Sequence, residues 1–82
     1  MKINLLVNYV GGDSREVVAN AADMVAFESK FDKSISVLST DARMSYLLFL
    51  AYSAEKRSGN TKEAFEKWCE SIEQVGAKDT PK

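Results

Sequence analysis

The sequence has no histidine, a single cysteine and a single proline. Without histidine, the chain lacks the commonest general base and the commonest metal ligand. The lone Cys69 excludes an intrachain disulfide and any cysteine-based zinc pattern, and a reducing compartment is its simplest setting. Neither charge dominates, with 11 basic residues against 12 acidic ones. The basic footprint of a nucleic-acid-binding domain is therefore missing from the totals. The longest apolar run, Tyr46 to Tyr52, is far below the ~20 residues of a membrane-spanning helix. The segment Met1 to Asn8 is too short and too polar for a signal-peptide core. The expectation is a soluble cytoplasmic protein that is not an enzyme, binds neither nucleic acid nor membrane, and uses no cofactor or metal.

What is present is apolar and patterned. A chain of 82 residues, 45% hydrophobic and 28% charged, describes one small ordered domain. A domain of that size buries only roughly 60–65% of its unfolded surface, so partner binding or self-association would add to a small stability margin. Ile3, Leu5, Val7 and Tyr9 alternate with Lys2, Asn4 and Asn8, the mark of a half-buried strand, while Leu6 and Val10 blur the alternation. Gly11-Gly12-Asp13-Ser14 reads as a turn, after which Arg15 to Ala19 returns as a second strand.

Asn20 suits an N-cap, with Asp23 in the first turn behind it. Met24, Phe27 and Phe31 then share one helical face. Ser34 to Ser39 reads as a connecting loop. Ser39 or Thr40 is placed to cap a second helix on which Met44, Leu47, Leu48, Ala51 and Ala54 or Glu55 form a stripe. Tyr46, Phe49, Leu50 and Tyr52 widen that stripe almost all the way round. Ser58-Gly59 stops this helix. Asn60 and Glu63 have capping-box spacing, and Phe65, Trp68, Cys69, Ile72 and Val75 continue as an amphipathic stripe ended by Gly76. The expected architecture is α+β but mostly helical, a single domain over 1–76. A hairpin at 2–19 precedes helices at about 21–33, 41–58 and 61–75, the last two forming an antiparallel helical hairpin, and 77–82 is a flexible tail.

No constellation of reactive groups emerges. Gly11-Gly12 lacks the lysine and hydroxyl of a phosphate-binding loop, and Cys69 lies on an apolar stripe as a small hydrophobe. A helix-turn-helix reading with Ser58-Gly59-Asn60-Thr61 as its turn meets Glu63, Glu66, Glu70 and Glu73 on the would-be recognition helix, where they repel phosphate. The aromatic residues Phe27, Phe31, Tyr46, Phe49, Tyr52, Phe65 and Trp68 exceed what three short helices easily enclose. One or two are expected at a binding surface, with Tyr46, Phe49 and Tyr52 the foremost candidates.

Three stretches carry a family resemblance: Ala22-Asp23-Met24-Val25-Ala26-Phe27-Glu28-Ser29-Lys30-Phe31, Leu48-Phe49-Leu50-Ala51-Tyr52-Ser53-Ala54, and Phe65-Glu66-Lys67-Trp68 continuing to Val75. Together they resemble the tail assembly chaperones of long-tailed bacteriophages. Tyr52 stands where that pattern often has tryptophan, and Phe31-Asp32 where phenylalanine-glycine is common. The resemblance implies a non-enzymatic protein of the bacterial host cytoplasm that binds the tape-measure protein and the major tail-tube protein, with homo-oligomers allowed. Tyr46, Phe49, Tyr52 and Trp68 are the partner-binding residues expected on it. Two rival expectations are a small structural virion protein, such as a head–tail connector or minor tail component, and a small transcriptional regulator. If Phe49 belongs to a binding surface, Phe49→Asp keeps its circular dichroism spectrum and loses partner binding; an unfolded variant places Phe49 in the core.

Overall fold

A computed structural model describes residues 2–41 and 43–77. The elements run β1 (Ile3–Tyr9), β2 (Ser14–Ala19), α1 (Ala21–Phe31), a 3-10 helix (Ile35–Ser39), α2 (Met44–Arg57), α3 (Phe65–Glu70) and β3 (Ile72–Ala77). β1 and β2 form a hairpin, and its turn holds Gly11 and Gly12 at φ 109° and 105°. Only glycine enters that backbone region freely.

The last strand corrects the expected architecture. Residues 72–77 extend the helical spacing of the preceding segment, yet they pair antiparallel with β1, Leu6 opposite Gly76 and Val7 opposite Val75. The sheet is three-stranded in the order β2-β1-β3. The protein is therefore a compact α+β fold. It is not a hairpin joined to a mostly helical three-helix unit, and the antiparallel C-terminal helical hairpin is absent. The third helix, expected over 61–75, is a six-residue α3.

The physical reason lies in β1. With β2 alone beside it, this most apolar strand would carry an edge of unpaired N–H and C=O groups, and an isolated hairpin is marginal in water. A third strand satisfies that edge. Ile72 and Val75 are β-branched and suit a half-buried pleated surface. The pairing skips Glu73, since Asn8 faces Gln74 and Tyr9 faces Ile72, which makes a bulge in β3.

One face of the sheet is covered. Leu5, Val7, Val17, Ala19 and Val75 meet Tyr46, Leu50, Ala51 and Ala54 of α2, and Phe27 of α1 completes the core. α2 touches all three strands, and α1 packs along α2. On the opposite face, Asn4, Leu6 and Asn8 are half-buried, and Val18 and Gln74 are exposed. Met44 is 44% exposed and Leu47 and Leu48 are half-buried, while Ala51, Ala54 and Glu55 are buried, so only the second half of the expected stripe faces inward. The helix is rotated to present Tyr46, Leu50 and Ala54 to the sheet.

Helix ends follow local chemistry where side chains reach. The Asn20 side chain accepts from the backbone N–H groups of Ala22 and Asp23, and Asp23 in turn accepts from the Asn20 N–H, a complete capping box. α1 ends at Asp32 in the left-handed region, φ 55°. Neither Ser39 nor Thr40 caps α2. The Ser39 hydroxyl donates to the Ser36 carbonyl and closes the 3-10 helix instead, while α2 starts after Arg43 with no side-chain cap. The Asn60–Glu63 box does not form, because α3 begins later, after Ala64. Of the expected tail, Ala77 belongs to β3, and residues 78–82 lie outside the described ones.

Two variants test these packing and capping assignments. Leu50, fully buried, becomes a cavity in Leu50→Ala, at a cost of about 3 kcal/mol within the ~2–5 range of such truncations. Asp32→Gly relieves the left-handed backbone and raises stability by about 0.5–1 kcal/mol. Urea denaturation followed by fluorescence of the single tryptophan, Trp68, reads both.

A candidate partner-binding groove between the first two helices

The aromatic residues form one continuous cluster. Phe27, Phe31 and Tyr46 contact one another with ring centroids 4.9–5.3 Å apart. Phe31 reaches Phe49 at 5.7 Å, and Phe49 and Tyr52 both meet Phe65, at 5.6 and 5.4 Å. Trp68 closes the chain against Tyr52 at 5.5 Å. Tilted and edge-to-face pairs of this kind each add about 0.5–1.5 kcal/mol beyond their buried area.

Three of the four expected binding residues are thereby core. Tyr46, Tyr52 and Trp68 are only 5%, 7% and 3% exposed, and of the three only Tyr52 keeps an edge on a surface opening. The reason for their burial is the polar tip of Tyr52, whose hydroxyl donates to the Glu63 carbonyl at 2.6 Å. That bond draws the 61–64 segment and α3 over the rings, so the short helices do enclose them. Phe49 alone stays half-buried.

Phe49 lies on the floor of a groove between α1 and α2. Ala22 and Ala26 form one wall, Phe49, Tyr52 and Ser53 form the floor and other wall, and Lys56 stands at the rim of an opening of about 440 Å³. Two alanines four residues apart stack on one helix face, and their short side chains leave the space open. Val25, on the same side of α1, is 64% exposed. The Lys56 ammonium sits 5.8 Å from the Tyr52 ring centre, and the Lys30 ammonium lies 5.8 and 5.4 Å from those of Phe49 and Phe65. Among the described residues neither lysine is in an ion pair. These flanking groups carry no signal of their own in the sequence. The Ala22-x-x-x-Ala26 spacing was the one local hint of a groove.

At one end the groove is closed by Asp23, 1% exposed. Its carboxylate accepts from the Ser53 hydroxyl at 2.7 Å, the Asn20 N–H at 2.9 Å and the Arg57 guanidinium at 2.9 Å. Burial pushes the Asp23 carboxyl up, but hydrogen bonds from Arg57, Asn20 and Ser53 outweigh it and hold the group below its ordinary value. Arg57 also donates to the Val18 carbonyl of β2. A second buried carboxylate, Glu55, accepts from the Tyr9 hydroxyl at 2.7 Å and from Arg15 at 3.2 Å. Burial and that bond to Glu55 push the Tyr9 phenol up to about 12.

These charges are structural in geometry. A larger opening of about 630 Å³ lies between β2 and the ends of α1 and α2. The guanidinium groups on its lining, Arg15 and Arg57, are already committed to Glu55 and Asp23. The Cys69 thiol is raised by burial and by Glu66, away from the thiolate a nucleophile needs. Among the described residues there is no cluster of acidic, histidine or cysteine side chains fit to hold a metal, and no helix long and apolar enough to cross a membrane. Comparison with protein-family models, curated proteins and solved structures yields no match.

The two buried carboxylate sites shape the pH profile in opposite directions. Asp23 titrates lower in the folded state than in the unfolded one. Its stabilisation is present above the ordinary aspartate range and is lost as pH falls through the folded value. Tyr9 titrates higher when folded, so its stabilisation is complete below pH 10.0 and drains away as pH rises toward about 12. Denaturation measured across pH should show both limbs, with Tyr9→Phe flattening the alkaline one and Asp23→Asn the acid one.

Proposed function

We propose that this protein is a non-enzymatic binding protein whose α1–α2 groove holds an apolar helical segment of a partner. The specific form is a tail assembly chaperone of a long-tailed phage that shields the tape-measure protein and the tail-tube protein before assembly. The observation that carries this reading is the groove itself. Its walls are built from Ala22–Phe31 and Leu48–Ala54, two of the three segments on which the resemblance rests. An apolar floor between two helices is the receptor half of helix-in-groove recognition. Asp32 is a departure from the pattern. It occupies a left-handed helix cap, φ 55°, where the pattern commonly has glycine. The third segment departs from an all-helical reading, since it divides into α3 and β3.

The structural-protein reading draws on a different observation. β2 and β3 each have one neighbour in the sheet, and a strand from an adjacent subunit can extend such an edge. The two readings separate by experiment. A chaperone co-purifies with the tape-measure product encoded beside its gene and is missing from finished particles. Stoichiometric presence in purified particles would move the assignment to a virion component, and a gene without phage neighbours would remove the phage assignment altogether.

A further inference from the structure

The geometry points to an acidic amphipathic helix as the occupant of the α1–α2 groove: a partner helix with an apolar stripe flanked by carboxylates. This deepens the binding reading above and rests on it. The argument begins with what the groove can offer. Its interior polar groups are engaged with one another, Asp23 with Ser53, Asn20 and Arg57, and no buried side-chain nitrogen or oxygen among the described residues lacks a partner. Between these engaged groups an occupant meets the apolar surface of Ala22, Ala26, Phe49 and Tyr52, with Lys56 and Arg57 beside it. Leucine-like side chains fit that surface; a sugar or nucleotide does not, because its desolvated polar groups would go unanswered.

The rim sets the charge. Lys30 and Lys56 rest against the faces of Phe49, Phe65 and Tyr52 without a carboxylate partner. Cation–π contact holds an ammonium near the ring while leaving part of its hydrogen-bonding shell to water. Each lysine thus stands beside the apolar floor with capacity for an incoming anion. On an amphipathic helix, residues three and four apart share one face, so carboxylates beside a leucine stripe arrive next to the rim as the stripe enters the groove. A basic helix brings ammonium against ammonium. This charge complementarity favours an acidic helix over a neutral or basic one and speeds its association at low salt.

The test uses the full chain and two synthetic helical peptides with the same leucine stripe, one flanked by glutamate and one by lysine. Binding is measured by fluorescence anisotropy and mapped by amide chemical shifts. The glutamate peptide is expected to bind at least ten-fold tighter, with the advantage shrinking as salt screens it, and its shifts centre on Ala22, Ala26 and Phe49. Lys30→Glu combined with Lys56→Glu, both changes at exposed side chains, reverses the preference. Ala26→Gln fills the opening with a neutral helix-compatible side chain and weakens both peptides at least ten-fold. Equal affinities, an unchanged preference in the charge-reversed variant, or shifts centred on Asn4, Leu6 and Val18 would each overturn the inference. A tape-measure protein that still co-purifies with Ala26→Gln overturns the groove and leaves the chaperone reading standing. Peptide binding without capture of any tail protein does the reverse.

Discussion

Asp23 is where both main helices and the sheet are joined. Its carboxylate closes the capping box at the start of α1, takes the Ser53 hydroxyl from the middle of α2, and holds the Arg57 guanidinium at that helix's end. Arg57 passes the connection to β2 through the Val18 carbonyl. A buried charge so placed is costly when unpaired and only modestly favourable when paired. The interaction therefore does more for specificity than for raw stability: α1 has one position along α2 in which the carboxylate is satisfied. That position opens the groove between Ala22, Ala26 and Phe49.

A second polar clamp acts at the other side of α2. Glu55 takes the Tyr9 hydroxyl from β1 and Arg15 from β2, so one residue near the end of α2 grips both strands of the hairpin. The aromatic cluster fills the space between the clamps. It runs from Phe27 to Trp68 without a break, and the Tyr52 hydroxyl bonded to Glu63 pulls the chain beyond α2 over it. With the rings thus occupied in holding helix to helix, the α1–α2 opening is lined largely by small residues and by the rims around them. Ala22 and Ala26 keep that opening clear by what they do not fill.

Local signals were legible in the sequence. The hairpin turn, the Asn20 cap and the stop of α2 at Ser58-Gly59 are decided by residues within a few positions of one another, and short-range hydrogen bonding and backbone sterics suffice to set them. The candidate site was legible only in part. Phe49 is half-buried on the groove floor, whereas Tyr46, Tyr52 and Trp68 were drawn to the surface by their chemistry as interface-prone side chains and belong to the core. Nothing local distinguishes a ring at an interface from a ring covered by a segment ten residues away.

The sequence alone determined that this chain makes a strand-turn-strand unit, a first helix capped by Asn20 and a second amphipathic helix, and that it holds no histidine and a single cysteine. The tertiary structure decided the fate of residues 72–77. Ile72 and Val75 have helical spacing and reach one side of a strand only through the bulge at Glu73, and what settles them is the open edge of β1, a partner more than sixty residues away in the chain. It also decided which face of α2 turns inward, because that helix is apolar almost all round and only the sheet beneath it and the carboxylates of Asp23 and Glu55 select its rotation. Periodicity reports which residues prefer to be buried; only the assembled fold says against what.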